Sequence, residues 1–451
     1  MHFQDVDQLL TYLDEESIRF HKVGVFDIDG VFLGKYMDRD KFESALRKGF
    51  GFCDVVLGWD SNDQLLDNTK VSGWHTGYRD APVSLDLSTV RRIPFEDDTI
   101  LVVGQFGGDY EAVCPRRLLA RSVAKAASMG FSVRAALEYE FFMFKETPES
   151  ARAKGYRNLE PLTPGMFGYS MLRSGVHAEL YHELLEMMDA FECPIEGLHT
   201  ETGPGVLEAA LHHDEAMAAA DKGALFKTYA KILAQRMGLM ATFMAKWSNE
   251  YPGQSGHIHV SLEDPETGAN LFDDPEDPDG MSQQMRWFIG GQVALMPQLL
   301  AMVCGTVNAY RRLVPGMWAP THAHWGIENR TTAVRAIPGG GGTRSEYRVG
   351  PADANPYIAL AAALASGLWG IEHQVEPPPP VRGNAYEEPG EAAPLPGTLG
   401  EATRAFAASE AARELFGEPF VEHFAATRDW EDRQARKHVT DWDLARYFEI
   451  I

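Results

Sequence analysis

The sequence predicts an α+β protein in which a small β-rich domain, residues 1–110, precedes a larger domain of mixed strands and helices, residues 111–451. Three observations predict it. Short strand-like runs bounded by turn residues dominate the chain up to residue 110. Sustained helical periodicity begins after Pro115 and from there alternates with strand-like runs. The length, 451 residues, is enough for two or three domains around a large buried core.

Residues 5–20 read as a short acidic helix. KVGVFDIDGVFLGKY then gives two short strands around Asp29-Gly30, a hairpin signal, and TILVVGQF at 99–106 gives another strand. After Pro115, Leu118, Leu119, Val123 and Ala127 share a helical face until Gly130 ends the run. A strand follows at 132–144, then helices over 174–191 and 213–240, and an alternating strand, GHIHVSL, at 256–262. Residues 283–303 and 353–373 complete the helices before a Pro/Gly/Glu-rich connector at 375–397, and an amphipathic helical tail follows it. There is no internal repeat.

Composition excludes several classes. A net charge of −24 repels nucleic acid and anionic membranes, which both need a basic face. No stretch approaches the ~20 apolar residues of a membrane span, and the acidic N-terminus lacks a signal pattern. The four cysteines, Cys53, Cys114, Cys193 and Cys304, have no CxxC spacing and read as reduced buried thiols. A cytoplasmic enzyme is the expectation.

Three strand-like segments each carry two functional groups at i and i+2: Glu138 with Glu140, His257 with His259, and Glu346 with Arg348. Residues so spaced point to one face of a sheet. A single such pair is usually a solvated face, but Glu138 and Glu140 sit in LEYEFFMF, where unpartnered acids are rare. In HTETGPGVLE, the Gly203-Pro204-Gly205 turn can bring Glu201 and Glu208 together. Converging carboxylates with few imidazoles suit Mg²⁺ or Mn²⁺ rather than zinc, since no thiolate set or HExxH is present. Arginines cluster beside them, at Arg311 and Arg312, Arg330 and Arg335, and Arg344 and Arg348. Guanidinium forks grip carboxylate and phosphate. Metals with arginines point to phosphoryl transfer onto a carboxylate, and no GxxxxGK[ST] loop makes this a P-loop enzyme.

Taken in order, EYE (138–140), ETGPGVLE (201–208), GHIHVSL (256–262), NAYRRLVPG (308–316), NRTTAVRAIP (329–338) and EYRVGPADANPY (346–357) resemble the glutamine synthetase family. The resemblance implies a β-grasp-like N-terminal domain and a catalytic domain built on an antiparallel sheet flanked by helices. It implies ATP as cosubstrate and two divalent metals, one held by Glu140, Glu201 and Glu208 and one by Glu138, His257 and Glu346. Glu196, His259, Ser261, Arg335 and Arg344 would lie along the nucleotide. Arg312, Arg348 and Gly253 would bind the acid substrate, and Arg330 would stabilise the transferring phosphoryl group. The implied reaction phosphorylates the γ-carboxylate of glutamate and transfers the glutamyl group to an amine. Rings of identical subunits, commonly dodecamers, are implied with it.

The chain departs from the family at the acceptor. The glutamate that closes over the ammonium site is replaced by Trp318 in VPGMWAP (314–320). The second ammonium acid, contributed by a neighbouring subunit, matches Asp54 or Asp60 without a clean alignment. Pro252 stands where bacterial members have Asn, so another carboxylic acid in place of glutamate stays open. These departures predict an amine larger than ammonia, aromatic or small and apolar rather than a polyamine. Glutamine synthetase itself and a non-catalytic relative are the competing readings. Tyr386 in GNAYEEP is an ordinary loop residue rather than an adenylylation site.

Overall fold

The structure is a computed structural model that describes residues 1, 3–387 and 390–451, so Glu388 and Pro389 of the 375–397 connector lie outside the described residues. Two sheets organise the chain. The first holds β1 (Phe20–Phe26), β2 (Phe32–Met37), β3 (Phe50–Cys53), β4 (Asp80–Leu85), β5 (Arg91–Arg92) and β6 (Thr99–Phe106). Its order is β2-β1-β6-β4-β3, with β5 also on β6, and only the β1–β6 pair is parallel. The expected hairpin turns at Asp29-Gly30. Gly30 has φ +79°, and the Asp27 carboxylate accepts from the backbone N–H of Asp29 at 3.0 Å and of Val31 at 2.8 Å.

β6 is apolar along nearly its whole length because both of its faces are covered. Ile100 and Val102 pack under the helices Val6–Glu15 and Arg39–Lys48, with Leu9, Leu13 and Phe42. Leu101 and Val103 join the core of the rest of the chain. The helix Arg39–Lys48, which the sequence reading leaves unassigned, is capped by Asp38 and Gly49 and buries Phe42 and Ala45.

The second sheet has nine strands. β7 (Ser132–Phe144), β8 (Ile195–Thr200), β9 (Val206–Leu211), β10 (Asp214–Glu215), β11 (Met240–Thr242) and β12 (Gly256–Glu263) precede β13 (His322–Ala323), which pairs outside it. β14 (Trp325–Ile327), β15 (Val334–Ile337) and β16 (Arg344–Tyr347) complete it. The order is β14-β15-β16-β12-β7-β9-β8, with β10 and β11 on β7. Every pair but β14–β15 is antiparallel.

β7 alternates as a half-buried strand should. Val133, Ala135, Leu137, Tyr139 and Phe141 face a helical layer, where Tyr139 and Phe141 meet Phe226 of the helix Ala216–Arg236. Glu138 and Glu140 therefore face the other way. The Gly203-Pro204-Gly205 turn brings β9 back antiparallel to β8. Gly205, at φ +69°, is obligatory there because a Cβ would overlap the carbonyl of Met143.

The helix expected over 174–191 is two, Met171–Val176 and Ala178–Ala190, because His177 between them has non-helical dihedrals. The tail after the connector forms four helices, Leu399–Ala408, Glu410–Phe416, Glu418–Ala435 and Asp441–Tyr447. Among the described residues no helix is long and apolar enough to cross a membrane.

A buried ion cluster joins the two sheets' supports. Arg116 grips Asp221 through two bonds of 2.9 and 2.8 Å and reaches Asp86 at 2.8 Å, while the Tyr357 hydroxyl donates to Asp221 at 2.6 Å. Removing one member leaves a buried charge without a partner, which costs about 3–5 kcal/mol. Asp221→Ala is therefore expected to lower the thermal unfolding midpoint by several degrees. Asp221→Leu combined with Arg116→Met should recover much of that loss in the same melting experiment, and a double variant no better than the single one contradicts the assignment.

Candidate functional site

Strand register brings the predicted acids together. Glu138 on β7 lies opposite His257 on β12, and Glu140 lies opposite Glu208 on β9. Glu208 in turn lies opposite His199 on β8, and Glu346 on β16 lies between His259 on β12 and Arg335 on β15. Directly opposed residues have Cβ atoms about 4.5–5.5 Å apart, so residues as distant in the chain as Glu138 and His257 share one face.

The ligand atoms fall into two groups. Glu138, His259 and Glu346 each present an atom within 4.8 Å of the others, as do His199, Glu201 and Glu208. His257 remains between Glu138, at 2.8 Å, and Glu346, at 3.4 Å, and its Nε2 is buried with no partner. Beside the expected ligands, His259 stands with one set and His199 with the other. Glu140 turns Oε2 to the Ser255 backbone N–H, 2.9 Å away. His199 near the end of β8 and Glu201 just beyond it have the same i, i+2 spacing as the other pairs.

The electrostatics are those of an acid cluster that needs a cation. Burial, reinforced by Glu138, Glu140 and Glu201, pushes the Glu208 carboxyl up to about 10. Burial and Glu201 push Glu140 to about 7 against the pull of Arg312. Burial also raises Glu138, Glu201 and Glu346, but bonds from His257 and His259 more than offset it in Glu138, and bonds from His199, the Thr202 N–H and the Tyr169 hydroxyl do so in Glu201. For Glu346 the Arg348 guanidinium, with His257 and His259, prevails over burial and holds it at about 2. Oxygen donors with one or two imidazoles, an unpartnered buried nitrogen and a carboxyl that keeps its proton for want of positive charge fit a hard divalent cation.

Two cavities flank Glu138. One, of about 320 Å³, is walled by Glu138, Glu140, Glu201, Glu208 and His257 and by Tyr169, Pro252, Gly253, Ser255, Trp318, Arg330 and Arg348. Trp318 stands 53% exposed on its loop at φ +59°. Gly253 is confined: a Cβ there would lie 2.5 Å from the Ala245 carbonyl and 2.9 Å from Arg312 Cγ. Arg312 itself is behind the wall. It is 1% exposed and donates to the Val349 carbonyl and the Ser255 hydroxyl, both at 2.8 Å. Adjacent residues of a helical turn point about 100° apart, which sends Arg312 inward and leaves Arg311 in solvent.

The second cavity, about 410 Å³, collects Glu196, His259, Ser261 and Arg344 with Gly341 and Gly342. Arg344 donates to His259 Nδ1 at 3.2 Å. Arg335 is outside its lining, tied to Glu346 at 3.1 Å and to Glu328. The glycine run, read from sequence as a flexible loop, makes a 3₁₀ turn over Gly340–Gly342. Asp54 is absent from both linings. It is 0% exposed and accepts from the hydroxyls of Tyr110 at 3.0 Å and Thr76 at 3.3 Å. Tyr386 has its hydroxyl enclosed.

A family model of the glutamine synthetase catalytic domain matches residues 112–447. The chain is 44% identical over 451 residues to a protein of Dictyostelium discoideum named type-1 glutamine synthetase 2, covering 99% of this chain and 86% of that one. It is 36% identical to a glutamate–isopropylamine ligase of a Pseudomonas species, covering 98% and 97%. It is 35% identical to a γ-glutamylethanolamide synthetase of Streptomyces coelicolor, covering 94% and 91%. A solved structure titled apo GmaS without ligand superposes with a TM-score of 0.84 at 27% identity, covering 98% of this chain and 99% of that one.

The acid cluster makes cation binding pH-dependent. Folded, Glu208 keeps its proton up to about 10, whereas an unfolded glutamate loses it near 4.3. Between those values the folded state holds more protons than the unfolded one, so on this account stability falls as pH rises. A bound cation displaces the proton and removes the penalty. The rise in melting temperature on adding Mg²⁺ or Mn²⁺ to chelator-treated protein should be larger near about pH 8.5 than near about pH 6. An equal rise at both, or none, contradicts it.

Proposed function

We propose, from the premise that the chain belongs to the glutamine synthetase family and is an ATP-dependent carbon–nitrogen ligase, that it joins glutamate to an amine larger than ammonia. The observation that carries this reading is Trp318 in the wall of the acid-lined cavity, at the position where the resemblance leads one to expect a carboxylate. A carboxylate holds a small cation such as ammonium. An indole offers an apolar wall and only weak cation–π attraction.

On this reading residues 111–451 carry the chemistry. Glu138, Glu346 and an imidazole would hold one divalent ion, and Glu201, Glu208 and Glu140 the other, with His199 beside them. Magnesium or manganese bound there would supply positive charge against the phosphates. Glu196, His259, Ser261 and Arg344 line the place of ATP. Arg330 and Arg348 reach into the other cavity, where glutamate binds. A carboxylate oxygen is a poor leaving group, and phosphorylation makes it a good one. Arg330, which is exposed on the cavity wall, is placed to spread the charge of the transferring phosphoryl group. Arg348 is fixed by its ion pair with buried Glu346 and is placed to orient the acid substrate. Arg312 acts one layer back, holding Ser255, whose backbone N–H fixes Glu140. The amine then attacks the acyl carbon and expels phosphate.

The relatives named for isopropylamine and ethanolamide products add weight to a larger acceptor. The relative named glutamine synthetase keeps ammonia as the rival outcome. The non-catalytic alternative has no support, because a dead site has no use for this buried charge.

Phosphate release with ATP, glutamate and a panel of ammonia, methylamine, isopropylamine, ethanolamine, putrescine and aniline decides between them. Isopropylamine or aniline is expected to give the highest kcat/KM. Trp318→Glu should raise the kcat/KM for ammonia relative to isopropylamine by about tenfold or more. Ammonia as the best acceptor of the unaltered protein overturns the proposal.

A further inference from the structure

We infer that Asn329 is a positioning residue for Arg330, and that it acts by clasping the Arg330 loop to the 375–397 connector. The inference rests on the reading above that Arg330 faces the transferring phosphoryl group. It brings into the working of the site a Pro/Gly/Glu-rich segment that the sequence presents only as a link between helices.

Arg330 has little of its own to hold it. It is exposed on the cavity wall, and among the described residues its guanidinium is in no ion pair. It lies in the loop between β14 and β15, which run parallel. Parallel neighbours ordinarily need a crossover of about a dozen residues or more. Here residues 328–333 alone make the connection. So short a loop is bent hard: Glu328 takes φ +49°, a conformation that persists only where the surroundings impose it. The place of the Arg330 side chain is therefore set by its backbone, and the backbone by the residues on either side.

Asn329 fills every place its amide offers. Oδ1 accepts from the Thr331 backbone N–H at 3.0 Å and from the Thr331 hydroxyl at 2.7 Å, a side-chain turn with Arg330 at its apex. Nδ2 donates to the Val381 carbonyl at 3.1 Å and to the Gly383 carbonyl at 2.9 Å. Two carbonyls at one end and an N–H at the other admit only this orientation of the amide. The Thr331 hydroxyl in turn accepts from the Ala385 N–H at 3.0 Å. The residues before and after Arg330 are thus both committed to the connector, and Arg330 is left to face the cavity.

The connector is a firm support at this point. The Val381 N–H donates to the Trp325 carbonyl at 2.8 Å, and the buried Trp325 indole donates to the Pro378 carbonyl at 2.6 Å. A Cβ on Gly326 would lie 2.8 Å from the Val381 carbonyl oxygen and 2.9 Å from Asn329 Cβ, so β14, the loop and the connector are in direct contact. Asparagine is the residue this place demands. Aspartate keeps the turn at Thr331 but has no N–H for the two carbonyls. A misplacement of about 1 Å can cost about a hundredfold in rate. A guanidinium that serves the transition state shows that loss in kcat rather than in KM.

The test uses ATP, glutamate and hydroxylamine, a compact nucleophile that reports carboxylate activation whatever the natural amine. Asn329→Asp should lower kcat by about tenfold or more and shift the KM for ATP by less than about twofold. Thr331→Val should behave alike, and Thr331→Ser, which keeps the hydroxyl, should stay within about twofold of unaltered protein. That pair decides the matter if thermal unfolding shows the aspartate variant to be poorly folded. In an Arg330→Ala background, Asn329→Asp should cost less than about twofold more, because its effect passes through Arg330. Trypsin cleavage after exposed Arg382, which lies between the two clasped residues, should quicken in Asn329→Asp when followed by mass spectrometry of the chain. An unchanged kcat, an unchanged cleavage rate, or a loss as large without Arg330 as with it overturns the proposal and leaves the ligase reading in place. Arg330→Ala at full kcat overturns the part given to Arg330, and the positioning role falls with it. Unaltered protein that forms no hydroxamate overturns the glutamate reading and this proposal together.

Discussion

Carboxylates from two adjoining antiparallel strands and from the turn that joins β8 to β9 meet on one face of one sheet, and they cannot all be ionised without a cation. Glu138, Glu140, Glu201 and Glu208 share a wall of one cavity, and like charges at that range raise one another's pKa. The protein does not relieve this with arginines throughout. It places imidazoles at Glu138 and Glu201 and a guanidinium at Glu346, and leaves Glu208 to hold a proton. An arrangement that costs stability in the folded chain is a site waiting for positive charge. The helical layer behind β7, with Tyr139 and Phe141 packed on Phe226, presses the acids into that face.

A second layer keeps the face in register. Gln254, fully buried, donates to the carbonyls of Phe243 and Met244 and accepts from the Ala352 N–H at 3.0 Å. Arg312 bridges Val349 and Ser255. Lys227 donates to the carbonyls of Ala352 and Ala354 at 2.9 and 2.7 Å. The segment that continues from Glu346 and Arg348 is therefore tied to the one that leads into His257. Buried polar groups satisfied in this way rigidify a site. The other side of the cavity is built differently, with aromatic rings, Tyr169 and Trp318, on irregular segments.

Much of this was legible in the sequence. The i, i+2 spacing of Glu138 with Glu140 and of His257 with His259 gave the strands and their shared face. Pro115 and Gly130 bracketed a helix now seen at Pro115–Ser128. What escaped had weak local signals. The helix Arg39–Lys48 buries only Phe42 and Ala45 and is marked mainly by its caps, Asp38 and Gly49. Tyr169 lies in irregular backbone, where no periodicity points, and its place depends on Thr200, 31 residues on. Arg312 carried the right residue type, but burial behind Ser255 is a tertiary fact. Asp54, which the resemblance offers to a neighbouring subunit's site, is enclosed within its own chain by Tyr110 and Thr76.

The central claim is that this face activates a carboxylate by making it an acyl phosphate. Glutamate labelled with ¹⁸O in its γ-carboxylate, turned over with ATP, a divalent metal and isopropylamine, tests it most directly. Mass spectrometry of the released phosphate should find one labelled oxygen per amide formed. Amide formation accompanied by unlabelled phosphate would contradict the account, because the carboxylate oxygen would never have been the one that phosphate carried away.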